Sequence, residues 1–327
     1  MPVKSYGFAI GNLAARQNTL LKKSDLTQLL AAKDVDALSD ALRDKGLGSR
    51  TVREEVPLIL KNENARMWEF LREISPDDSL FLPFTVENDF HNLKAVLKGV
   101  IKNKEYSDSL ILPSDISEKT LKTAIEEKKF DLLPEYMAEC AKRAYEILTG
   151  SGDAQLSDAV LDAACMAEQM RIVSDKGYKC PVAREIVEYT VFFNNVKTTL
   201  RAAKAQKNGA FLDDALTETK YISKAELKSA TLGGTEQLLD KISLGSSAGQ
   251  DAADSFKKSP GDFERFCDDY IMSIAKKAKL ITLGSDPIVG YMMARRAEIK
   301  DIRIIYSGIK TGRPEAEIIG RLRELYD

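Results

Sequence analysis

Apolar residues along this chain recur mostly at steps of three and four, the spacing that gathers side chains on one face of a helix. Three stretches carry the pattern in nearly the same words: FHNLKAVLKG from Phe90, FNNVKTTLRA from Phe193 and EIKDIRIIYSG from Glu298. Asn195 follows Asn92 by 103 residues, and Asp301 follows Asn195 by 106. At those offsets Phe90, Leu93, Leu97 and Val100 fall on Phe193, Val196, Leu200 and Ala203, then on Ile299, Ile302, Tyr306 and Ile309. The face extends back through Val86 and Tyr189, whereas the third copy has Arg295 there. A cation two residues past the Asn or Asp recurs as well, as Lys94, Lys197 and Arg303. Repetition of this kind marks a scaffold of stacked units rather than a catalytic device.

A second phrase keeps the period. ISEKTLK, from Ile116, returns as ISKAELK from Ile222, 106 residues later. Ser117 and Ser223 stand where a helix begins and read as N-caps, each offering an oxygen to an unpaired backbone N–H. Long helices are predicted near 8–22, 83–104, 182–206 and 286–311, with others at about 53–75, 131–149, 155–174 and 260–280. Pro314 marks the start of a last short helix. Only LILPSD, around Leu110, looks strand-like, and the Gly-, Ser- and Pro-containing stretch 242–263 reads as a flexible surface loop.

The expected fold is therefore all-α, with three pseudo-equivalent helical repeat units. The expected organisation is a divergent first unit at 1–76, a second at 77–179, a third at 180–283 and a partial repeat at 284–327. The last piece is apolar enough to pack back on the array. Ile299, Ile302, Ile309, Ile318, Ile319, Leu322 and Leu325 are expected to be buried, partly against residues 8–22.

Composition narrows the function. A chain of 327 residues buries roughly three quarters of its unfolded surface and needs no disulfide or metal to hold a core. With 48 Lys plus Arg against 50 Asp plus Glu, the net charge of −2 argues against a nucleic-acid partner. No stretch approaches the apolar length of a transmembrane helix, and the opening residues lack a signal peptide's apolar core. The four cysteines are scattered and read as small buried hydrophobes.

Candidate chemistry is sparse. SGIKTGRP and LGSSAGQD lack the lysine and spacing of a nucleotide-binding P-loop, and no cofactor is expected. His91 is the single histidine, which excludes multi-histidine metal sites and reads as a polar residue flanking the helix core. Asp213–Asp214 and Asp268–Asp269 read as solvated faces, and the lysines of AKKAKL as a solvated helix end. Asn is a poor mid-helix residue because its side chain competes for backbone hydrogen bonds. Asn92, Asn195 and Asp301 are therefore candidates for a recurring hydrogen bond, within the unit or to a partner, flanked by Lys94, Lys197 and Arg303.

In order and spacing, several phrases resemble the C-subunit family of V-type and archaeal A-type ATPases, whose eukaryotic counterpart is the d subunit. They are AIGNLAARQNTLLKKSDLTQLLAAKDVDAL, ENDFHNLKAVLKG, QLSDAVLDAA around Asp158 and Asp162, FFNNVKTTLRA, and the closing DPIVGYMMARRAEIKDIRIIYSGIKTGRPEAEIIGRLRELYD. Arg296 departs from the family's usual Glu. The resemblance implies three units closed into a funnel on the cytoplasmic face of a membrane. It also implies a non-catalytic central-stalk part that joins the proteolipid rotor ring to the central axle and hydrolyses nothing. Without the resemblance, two other readings stand: a soluble α-helical repeat adaptor for other proteins, and an all-α small-molecule enzyme.

Overall fold

The computed structural model describes residues 4–49 and 51–327, which form helices and connecting turns with no β-strand among them. The first helices are α1 (Tyr6–Gln17), α2 (Lys23–Leu30), α3 (Val35–Asp44) and α4 (Val56–Ile74). Next come α5 (Leu82–Lys102), α6 (Glu118–Glu126), α7 (Glu135–Gly150) and α8 (Ala154–Ser174). Then follow α9 (Pro181–Lys204), α10 (Gly209–Ala215), α11 (Lys224–Leu232), α12 (Thr235–Gly245), α13 (Gly249–Lys258) and α14 (Pro260–Lys276). The last two are α15 (Asp286–Lys310) and α16 (Glu315–Ile319). The all-α expectation holds.

Local chemistry sets many of these boundaries. Ser117 accepts the Thr120 N–H at 3.1 Å, and Ser223 accepts the Glu226 N–H at 3.3 Å while Glu226 reaches back to the Ser223 N–H. Both serines are the N-caps that their sequence positions indicate. Two expectations fail. The stretch 242–263 is helical except at 246–248 and 259, because Ala248, Ala252, Ala253 and Phe263 find burial and Ser259 caps α14. LILPSD forms no strand, since the peptide groups of Ile111 pair with a side chain instead of a neighbouring backbone.

Two compact units are present. One gathers the described residues up to Asp78 together with Lys179–Ile186 and Asp254–Asp327. Within it α15 packs against α1, α2, α3, α4, α14 and α16. Leu26, Leu29, Leu38, Leu42 and Ile59 share a core there with Ile299, Ile302, Ile305, Ile318 and Leu325, while Leu21, Ile309 and Leu322 also pack on it. Burial of the late apolar set is thus met at Ile299, Ile302, Ile318 and Leu325 and partly at Ile309 and Leu322, whereas Ile319 is 49% exposed.

The other unit comprises Ser79–Tyr178 and Val187–Ala253. Helix α5 packs on α6, α7 and α8 around Phe90, Leu93, Leu97, Leu121, Met137 and Leu161. At ~25 cal/mol per Å² of apolar surface removed from water, such stripes supply most of the folding free energy.

Candidate functional site

Each phrase-bearing helix holds its Asn or Asp in the same device. Asn92 donates from Nδ2 to the Ile111 carbonyl at 2.9 Å and accepts the Ile111 N–H at 2.8 Å. Asn195 donates to the Thr217 carbonyl at 2.6 Å and accepts the Thr217 N–H at 3.1 Å. Asp301 accepts the Arg323 N–H at 2.9 Å. All three side chains are buried, and their hydrogen bonds run within the unit that holds them. The mid-helix penalty of Asn is offset because one carboxamide satisfies both groups of a returning peptide, as a β-ladder would.

The last residue of each phrase is small for a related reason. A Cβ on Gly99 would lie 2.1 Å from the Tyr106 ring, and one on Gly308 2.5 Å from the Ile318 side chain. The matching Ala202 is buried. At Gly99 and Gly308 the close crossing over the helix leaves no room even for a methyl group.

The recurring cations do not converge on one role. Lys94 meets Asp162 at 2.5 Å, and Lys98 meets Asp158 at 2.6 Å, an antiparallel two-rung ladder between α5 and α8. Burial works against the Lys94 charge, but Asp162 and Asp158 prevail and hold its pKa above the ordinary lysine value. Lys197 is half-buried. Arg303 is exposed and makes no hydrogen bond or ion pair among the described residues. The two carboxylates of QLSDAVLDAA thus have a packing role.

Arg295, the exception on the apolar face, is buried between two buried carboxylates. It reaches Glu63 of α4 at 2.9 Å and Glu298 at 2.5 Å. Glu298 also accepts the Leu21 N–H, and Glu63 accepts the Gly48 N–H. Burial pushes the Glu298 carboxyl up to about 7 against the pull of Arg295. Sequence reading missed this network because Glu63 lies 232 residues from Arg295.

Other conspicuous groups are also spoken for. Lys276 pairs with Glu324, Lys277 with Glu185, and Lys279 sits 4.7 Å from the Tyr326 ring centroid. Asp268 binds Lys300 and Arg323, and Asp269 accepts the Glu324 N–H at 2.7 Å, so this pair anchors the final segment and is not a merely solvated face. Asp213 and Asp214 pair with Lys228 and Arg143.

His91 lies 2.9 Å from the Ser109 carbonyl. Burial pushes the thiols of Cys140 and Cys180 up to about 11 and about 12, well above the range of reactive cysteines. An open cleft of about 680 Å³ is lined by Ala163, Ala167, Met170 and Leu216, with the Arg143–Asp214 pair on its wall. No group of three His, Cys, Asp or Glu side chains able to hold a metal occurs among the described residues. No helix there is long and apolar enough to cross a membrane. What the side chains do chemically is lock helices and returning segments together.

The profile of the ATP synthase (C/AC39) subunit family matches residues 9–321. Over 325 aligned residues, the chain is 22% identical to the C subunit of the V-type sodium ATPase of Enterococcus hirae, covering 96% of this chain and 97% of that protein. It is 25% identical to the C subunit of the A-type ATP synthase of Methanobrevibacter smithii, covering 95% of this chain and 86% of that protein.

Proposed function

The chain belongs to the ATP synthase (C/AC39) subunit family, and from that premise we propose that it is a non-catalytic central-stalk subunit of a V/A-type rotary ATPase. In this reading it sits on the cytoplasmic face of the membrane as a peripheral protein. It is the socket that joins the ion-translocating proteolipid ring to the central axle, coupling ATP turnover or synthesis to H⁺ or Na⁺ transport. It binds no nucleotide and needs no cofactor.

The family match over residues 9–321 carries the proposal. Two structural features support it. First, residues about one repeat apart touch: Ser285 donates to the Lys179 carbonyl at 2.6 Å, 106 residues away, and Asp286 accepts the Val182 N–H at 2.8 Å, 104 residues away. Such contacts tie the start of α9 to the start of α15 within one compact unit. Second, the recurring clasps and close helix crossings stiffen each unit, and torque passes only through a part that does not shear internally. Exposed leucines, among them Leu244 at 86%, Leu280 at 86% and Leu283 at 66%, supply apolar area for contacts, which need more than ~1,000 Å² in total to be stable.

Native membranes provide the test. The protein is expected to sediment with them, to be stripped without detergent, and to bring down axle and ring subunits identifiable by mass. Recovery in the supernatant with no ATPase component attached would instead favour a soluble repeat adaptor.

A further inference from the structure

The three clasps differ by a single atom. In the first two, a carboxamide offers one acceptor and one donor to the N–H and C=O of one residue. In the third, Asp301 accepts the Arg323 N–H through Oδ1, and its buried Oδ2 has no hydrogen-bond partner. Thr217 and Arg323 each lie 22 residues beyond the side chain that binds them, and each gives its N–H to an Oδ1. By that correspondence Oδ2 of Asp301 takes the place of the amide nitrogen, which in the other two copies meets a carbonyl that can only accept. Two acceptors face to face in a buried site repel unless one carries hydrogen.

We propose that Asp301 carries a proton on Oδ2, donates it to the Arg323 carbonyl, and so makes the segment 321–327 a latch that is fast in acid and slackens toward neutral pH. The charges around it are already committed. On α15, Lys300 pairs with Asp268, and Glu298, one turn back, is bound to Arg295 and to the Leu21 N–H. From α14, Asp268 binds Arg323 and Asp269 accepts the Glu324 N–H. In the latch itself, Glu324 pairs with Lys276. Helix α4 contributes Glu63 and Arg66, which are joined to each other, while α2 and α3 present leucines.

Burial pushes the Asp301 carboxyl from an ordinary 3.8 up to about 7, and Asp269 acts in the same sense, against the Arg323 N–H and the Arg323 and Lys300 charges. The folded state thus keeps a proton that the opened latch releases above pH ~4. The proton's contribution to the latch is full below 3.8, falls with rising pH, and is gone by the time pH passes 7, leaving the other anchors of the segment.

Hydrogen exchange of amides 321–326, corrected for the intrinsic pH effect, tests this on the full chain and on Asp301→Asn. Wild-type protection is expected to fall about tenfold per pH unit between pH 5 and 7 and then level off. The variant, which restores the amide of the other two copies, is expected to stay flat and to exceed wild type at pH 8. Isotope-edited infrared spectra of the wild type are expected to show a protonated-carboxyl band at pH 5, absent from Asp301→Asn. Asn195→Asp is expected to import the same pH dependence to amides around Thr217. Parallel exchange profiles for wild type and Asp301→Asn overturn the proposal, and so does a wild-type spectrum at pH 5 with no protonated-carboxyl band assignable to Asp301.

Discussion

Replacing Asn195 by Ala removes a complete clasp and nothing else polar. Asn195 is 0% exposed and its partner Thr217 7%, so water has little access to either group. Two hydrogen bonds are lost, and the Thr217 N–H and C=O are left unpaired in a buried site. An unmade buried hydrogen bond costs about 1–3 kcal/mol for each group stranded. Thr217 keeps its hydroxyl bond to the Ala163 carbonyl, which limits the segment's freedom to find substitutes but also keeps it in place. A loss of ~3 kcal/mol is therefore expected. Urea unfolding followed by circular dichroism reads it directly, and the melting temperature is expected to fall by ~6–12 °C, at 2–4 °C per kcal/mol. Arg303→Ala is the control: exposed and unbonded, it is expected to change stability by less than ~0.5 kcal/mol. If Asn195→Ala costs no more than that control, the clasp reasoning is refuted.

Arg295→Met leaves Glu298 buried without its cation and Glu63 with Arg66 alone, and is expected to cost ~3 kcal/mol in urea unfolding. The deficit is expected to shrink in acid, where the Glu298 carboxyl is protonated; a loss under ~1 kcal/mol counts against a structural role for the network. Truncation after Gly312 deletes the buried Ile318, Leu325 and Tyr326 and is expected to lower the melting temperature and ring attachment together, whereas unchanged melting would mean the segment carries no load. Titration calorimetry with ATP, or with Zn²⁺, is expected to show no specific uptake by the isolated chain; micromolar binding of either ligand contradicts a purely structural role.

Much of the fold is legible because helix periodicity and capping are local. The long helices lie within a few residues of their predicted positions, and Ser117 and Ser223 cap where their side chains allow. Asn92 and Asn195 stood out as helix residues needing a reason, yet their partners were invisible. A clasp onto backbone places no demand on side-chain identity, and Ile111, Thr217 and Arg323 have no chemistry in common. The buried Arg295 was hidden differently: it breaks the apolar face that defined the repeat, and its partner Glu63 is remote in sequence. The 242–263 stretch was misjudged because Ala252 and Ala253 pack tightly with little hydrophobic signal.

The core around α15 also sets a timetable for synthesis. It joins leucines from the earliest helices to isoleucines near the far end, and the Leu21–Glu298 bond spans 277 residues. Leu26, Leu29, Leu38 and Leu42 leave the ribosome long before Ile299, Ile302 and Ile318 exist to cover them. The Ser79–Tyr178 and Val187–Ala253 unit has no such wait and completes itself in passing. In the interval the earliest helices carry an uncovered apolar face, which invites chaperone binding and, in its absence, aggregation. The first part made is the last to be finished.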